Sequence, residues 1–145
     1  MFKRSNLIFY GGNIFGALVA GVLVYFLFRP DTYVSQVICS GLGIEWPVGV
    51  IGVFPDWIVV FLRNYMCDMF WAYALTFAVG ALLHDVLGSS FSVLLVCGIF
   101  EIVIELSQEI GIMSGTFDMV DVVLEICITA FVTLIIKLKK LKKEI

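Results

Sequence analysis

Charge is what this chain has least of. Of its 145 residues only nine are Lys or Arg and twelve Asp or Glu, too few to cover the surface of a soluble domain. The apolar share is 61%, against about 45–50% in ordinary soluble domains, and the mean hydropathy is +1.08. There is one histidine, His84, and no HExxH, GxSxG or Ser/His/Asp arrangement, so the usual signatures of zinc peptidases and serine hydrolases are missing. The four cysteines, Cys39, Cys67, Cys97 and Cys127, form no CxxC pair and have no nearby histidine to complete a zinc set. They read as small apolar fillers, with a Cys39–Cys67 disulfide left open if both face an oxidising compartment. Nothing beyond a Lys-rich tail points to nucleic acid, and a membrane already explains that tail.

What is present is a set of long apolar runs in a chain with room for one domain, 1–145. Residues 7–28 are long enough to cross a hydrocarbon core of about 30 Å. They exceed the roughly 7–15 residues of a signal-peptide core, and no clear small-residue cleavage site follows, so they are expected to stay as a first helix. Residues 65–83, 90–108 and 117–136 make three further spans. The expected fold is an all-α, four-transmembrane-helix bundle.

Basic residues set the expected orientation. Lys3, Arg4, Lys137, Lys139, Lys140, Lys142 and Lys143 flank the two ends of the chain, which places both termini in the cytoplasm of a multi-pass cell (plasma) membrane protein. An even number of spans follows. Residues 33–54, weakened by Glu45, Pro47 and several glycines, are therefore not a fifth span. The outer segment, 31–62, is interfacial or re-entrant, and the two alternatives stay open. Trp46, Trp57 and Trp71 fall toward that outer side, as an aromatic belt would. Residues 137–145 form a basic cytoplasmic tail with anionic lipid as its natural neighbour. In the first helix Gly12, Gly16 and Ala20 recur every fourth residue, so this face is expected to meet another helix of the same chain.

The acids do not follow the apolar logic. Glu101, Glu105 and Gln108 share one face of the third span, and Asp118, Asp121 and Glu125 share one face of the fourth. The short connection between these spans makes them antiparallel neighbours. The two polar stripes should then meet in one outward-facing acidic pocket, with Asp68 and Arg63 at its edge and Arg29 nearby. Carboxylates at membrane depth are costly and are seldom idle. Simpler roles compete: Asp118 could cap the fourth helix, Asp121 and Glu125 could pair with Arg63 or Arg29, and Glu101 and Glu105 could be kept neutral. Glu109 reads as a wet loop residue, and His84 with Asp85 as a turn at the opposite end. A divalent cation is a further expectation, with Glu105, Asp118 and Asp121 as its candidate ligands.

The stretch "ELSQEIGIMSGTFDMVDVVLE" resembles the C-terminal signature of VanZ-like membrane proteins, a Glu-x-x-Gln closing one helix and an Asp-x-x-Asp opening the next. Glu105, Gln108, Asp118 and Asp121 stand at those positions, and Asp68 at the acidic position that opens an earlier helix. The resemblance spans residues 60–135 and is that of a divergent member. "MSG" stands where relatives usually carry Arg, Glu125 where they commonly carry Asn, and the Lys and His often found near the earlier Asp are missing beside Asp68. The resemblance implies a cell-envelope binding or accessory protein that engages a lipid headgroup, an envelope precursor or a cation, with a link to teicoplanin-type glycopeptide resistance. The alternative is an intramembrane aspartate-dependent hydrolase acting on a lipid-linked or peptide substrate, in which two close aspartates share a proton. Catalytic residues and oligomeric state are not legible. A proton or ion path is disfavoured, because the inner halves of the third and fourth spans are apolar.

Overall fold

The computed structural model describes residues 4–29, 32–43, 45, 52–87, 89–113 and 115–144. Six helices occupy them, α1 Arg4–Phe28, α2 Tyr33–Leu42, α3 Asp56–Asn64, α4 Met66–Leu87, α5 Ser90–Glu109 and α6 Met119–Glu144, and no strand is found among these residues. Four are long and apolar enough to cross a membrane, over Ile8–Phe28, Met66–Leu83, Ser90–Glu109 and Met119–Leu141. Their outward surface is the reverse of a soluble protein's. Phe15, Val22, Phe91 and Ile99 are each 60% or more exposed, an arrangement that hydrocarbon tolerates and water does not.

Each helix ends for a local reason. Pro30 follows α1 and disfavours helical backbone at the residue before it. Thr32 caps α2 by accepting from the Ser35 N–H, and Gly43, at φ 63°, closes it in the left-handed region. Asp56 and Arg63 stand in the first and last turns of α3, where each charge suits its end of the helix dipole. Ser89 caps α5 by accepting from the Ser92 N–H. The fourth span does not stop at residue 136: α6 runs on through the Lys-rich tail as one helix to Glu144. His84 and Asp85 lie within the last turns of α4 rather than in a turn. Between α1 and the second span lie α2 and α3, both too short to cross a membrane. Of the outer segment 31–62, with its open choice between interfacial and re-entrant, residues 31, 44 and 46–51, Trp46 and Pro47 included, lie outside the described residues.

α4 is the central element, packed against α1, α5 and α6. At the end of the bundle where α1 begins and α6 finishes, Phe77 of α4 and Val132 and Ile136 of α6 form the buried core. Phe9, Tyr10 and Tyr73 set their rings 5.6, 6.0 and 4.9 Å from that of Phe77. Lys139 completes this end, its Nζ 3.2 Å from the centre of the Phe9 ring, a cation–π contact that lets an ammonium group lie against aromatic surface. The same contact places the first turns of α1 beside the last turns of α6. Both ends of the described chain therefore lie on one side of the bundle.

The face that α1 turns inward differs from the one its glycines suggested. A Cβ at Gly12 or Gly16 would meet nothing within 4 Å, and both residues are exposed. The inward stripe lies one residue further round, at Asn13, Ala17 and Gly21. Tyr73 donates to Asn13 Oδ1 at 2.6 Å, and Asn13 Nδ2 donates to the Phe9 carbonyl at 2.7 Å. A side-chain amide in lipid has no other partner to find, so Asn13 orients the helix. Ala17 is 6% exposed, and a Cβ on Gly21 would touch Phe70 at 3.4 Å.

Gly16→Leu should accordingly leave the unfolding free energy within about 0.5 kcal/mol of the parent. Tyr73→Phe should lower it by about 0.6–1.7 kcal/mol, the range of interhelical hydrogen bonds in lipid. Reversible unfolding in mixed micelles measures both.

Candidate functional site

The acid-bearing residues gather at the other end of the bundle. α5 ends there at Glu109, and the connection to α6 turns on two glycines, Gly111 at φ 73° and Gly115 at φ 150°. Gly115 is required twice over. Its backbone conformation disfavours any side chain, and a Cβ would lie 2.5 Å from Oε1 of Gln108. The Gln108 side chain thus lies against the connection at Gly115.

Asp118 binds three things at once. Its Oδ1 accepts from the Val120 N–H at 2.8 Å, capping α6. Its Oδ2 accepts from the Tyr65 hydroxyl at 3.2 Å, and its own N–H donates to Glu105 Oε2 at 3.5 Å. Capping is therefore real and uses Oδ1, while Tyr65 engages Oδ2. Tyr65, at the junction of α3 and α4, belongs to the site and carried no signal in the sequence pattern.

Deeper in the bundle Glu101, 2% exposed, faces two threonines. Thr76 Oγ1 donates to the Ala72 carbonyl at 2.8 Å, Thr129 Oγ1 donates to Glu101 Oε1 at 2.5 Å, and the two hydroxyl oxygens lie 3.0 Å apart. The carboxyl of Glu101 is thereby tied through two hydroxyls to the backbone of α4, a relay that spans three helices. Thr129 lies four residues after Glu125 and Thr76 eight after Asp68, continuing each acidic face along its helix. That spacing was the signal available for finding them.

The remaining acids surround this relay. Glu105 and Glu125 are each 6% exposed. Glu125 lies within Coulombic reach of Glu101, Asp68, Glu105 and Asp121, and Asp121 within reach of Asp68, Asp118, Glu105 and Arg29. Helices α4, α5 and α6 so bring Asp68, Glu101, Glu105, Asp118, Asp121 and Glu125 to one end of the bundle. Two carboxyl oxygens there, Glu101 Oε2 and Asp121 Oδ1, are buried with no hydrogen-bond partner among the described residues. Arg29 enters from α1, its Nε donating to the Arg63 carbonyl at 2.8 Å. Arg63 itself is exposed and contributes to this link through its backbone. Glu109 is exposed, at the end of α5.

Among the described residues no three His, Cys, Asp or Glu side chains are grouped to hold a metal ion. The proposed ligand set of Glu105, Asp118 and Asp121 also includes a carboxylate already engaged through both oxygens. All four thiols are free; Cys97 is buried and Cys127 exposed. Cys67 Sγ donates to the Gly21 carbonyl at 3.5 Å, tying α4 to α1. Compared with known proteins, the chain matches no family model, no curated protein and no solved structure.

Thr129→Val should cost about 1–3 kcal/mol, because it leaves buried polar groups unpaired. Glu101→Gln should cost far less, since an amide oxygen can still accept from Thr129. Gly115→Ala, which strains the backbone and displaces Gln108, should lower stability by about 1–3 kcal/mol.

Proposed function

We propose that this chain is a divergent VanZ-like protein of the plasma membrane, and that its acidic pocket binds the donor-rich headgroup of a membrane lipid or lipid-linked envelope precursor. Both termini are taken as cytoplasmic from the distribution of Lys and Arg, so the acidic end opens outward. The observation that carries the reading is the pair of buried, unpartnered oxygens, Glu101 Oε2 and Asp121 Oδ1, among six acids. Lipid chains cannot hydrogen-bond a carboxyl group, and leaving it unpaired at depth costs free energy. A ligand that brings N–H or O–H donors, or a positive charge, recovers that cost on binding. The protein then acts as a binding or accessory component of the envelope, and altered glycopeptide sensitivity is the expected phenotype of its loss.

The hydrolase alternative requires two aspartates free to share a proton and a water molecule. Asp118 gives one oxygen to the cap of α6 and the other to Tyr65, which favours binding over hydrolysis.

The decisive variant combines Glu105→Gln with Asp121→Asn, which keeps side-chain volume and removes two carboxylates from the pocket. It should insert and unfold like the parent. Its affinity for an ethanolamine-bearing phospholipid, measured by native mass spectrometry against a choline-bearing control, should fall about tenfold, as expected for a lost charge-assisted hydrogen bond. Unchanged affinity for the amine lipid, together with an unchanged teicoplanin phenotype in the host, would falsify the reading. A requirement for added Mg²⁺ or Ca²⁺ in the binding assay would replace the amine by a bridging cation.

A further inference from the structure

A second feature lies away from the acids. α1, α2 and α4 enclose a groove of about 260 Å³. Its floor is Ala17 and Gly21 of α1, where the small inward stripe leaves room, and its walls include Tyr25, Cys67 and Trp71. Ser35 of α2 stands over it, held by a hydrogen bond from its hydroxyl to the Arg29 carbonyl at 2.9 Å. Most of the lining belongs to the span residues of α1 and α4, so hydrocarbon chains are what surrounds it.

A guanidinium stands beside one wall of the groove. The Arg29 guanidinium lies 5.5 Å from the centre of the Tyr25 ring, a stacking that holds it over the groove wall. Arg29 Nε is committed to the Arg63 carbonyl. The forked geometry of its two Nη groups suits a phosphate oxygen pair. An apolar trench at membrane depth, ending beneath a guanidinium at the membrane surface, matches one chemistry: a long hydrocarbon chain attached to an anionic head.

We infer that the groove between α1, α2 and α4 seats one acyl chain of an anionic phospholipid, whose phosphate is held by Arg29. The inference does not depend on what the carboxylates bind. Arg29 also lies within Coulombic reach of Asp68 and Asp121, so a lipid held in this way would place its headgroup next to the acidic pocket.

Trp71 lines the groove and serves as the reporter. With Trp46→Phe and Trp57→Phe it is the sole tryptophan. The protein is placed in phosphatidylcholine vesicles containing a minor fraction of phosphatidylglycerol, and either lipid carries brominated chains. Brominated phosphatidylglycerol should quench Trp71 about fivefold more than its mole fraction predicts, the preference one interfacial cation provides. Arg29→Gln should return quenching to the mole-fraction value. Val22→Phe, which puts a ring into the groove from an exposed position and leaves Arg29 in place, should do the same. Equal quenching by the two lipids would overturn the inference. So would an anionic preference that survives Arg29→Gln, which removes the phosphate contact, or one that survives Val22→Phe, which removes room for the chain.

Discussion

A carboxyl group inside hydrocarbon has to find its partners within the protein, and most of this bundle is arranged around that requirement. Glu101 sits at the depth where no water is at hand, and the hydroxyls of Thr129 and Thr76 lead its hydrogen bonding to a backbone carbonyl on α4. The relay touches three helices. It determines which faces of α5 and α6 turn toward α4, and with them where Glu105, Asp121 and Glu125 come to rest. Without it, apolar contacts alone would discriminate weakly between rotations of these helices, because lipid is as apolar as their own Leu and Ile side chains.

The same rule operates on α1 through a different group. Asn13 and Tyr73 bond to each other across α1 and α4, and the helix presents whatever else lies on the Asn13 face. That face carries Ala17 and Gly21. It was not the face marked by Gly12 and Gly16, whose spacing is equally suited to close approach. Small residues permit contact, whereas a buried polar group demands it. The absence of bulk at Gly21 also leaves the groove beside Phe70 and Trp71, so one orientation decision produces both the packing of α1 and the cavity next to it.

The acidic end divides into parts that hold the fold and parts that remain available to a ligand. Asp118 caps α6 and anchors Tyr65, and Gln108 lies over Gly115; both pin the α5–α6 connection. Glu101 and Asp121 each keep one buried oxygen unmatched within the described residues. The polar residues of this end therefore divide their roles, with Asp118 and Gln108 at the turn and Asp121 turned toward the other acids. Arg29 lies near both Asp68 and Asp121 and the Tyr25 wall of the apolar groove.

The sequence by itself determined the class of object and most of its parts. Four apolar runs separated by polar breaks can only be helices in lipid, and the i, i+4, i+7 spacing of Glu101, Glu105 and Gln108 placed them on one face before any packing was known. The short connection at 110–118 made α5 and α6 neighbours, so the gathering of the acids was legible too. Tertiary structure decided the rest. Periodicity names a face but not what it meets, which is why the threonine relay, the Tyr65–Asp118 bond and the true inward stripe of α1 had no unambiguous sequence signal. Each depends on contacts between residues 28 to 60 positions apart. In a medium that cannot form hydrogen bonds, it is those distant polar contacts, rather than apolar pattern, that select one arrangement of helices from several of nearly equal burial.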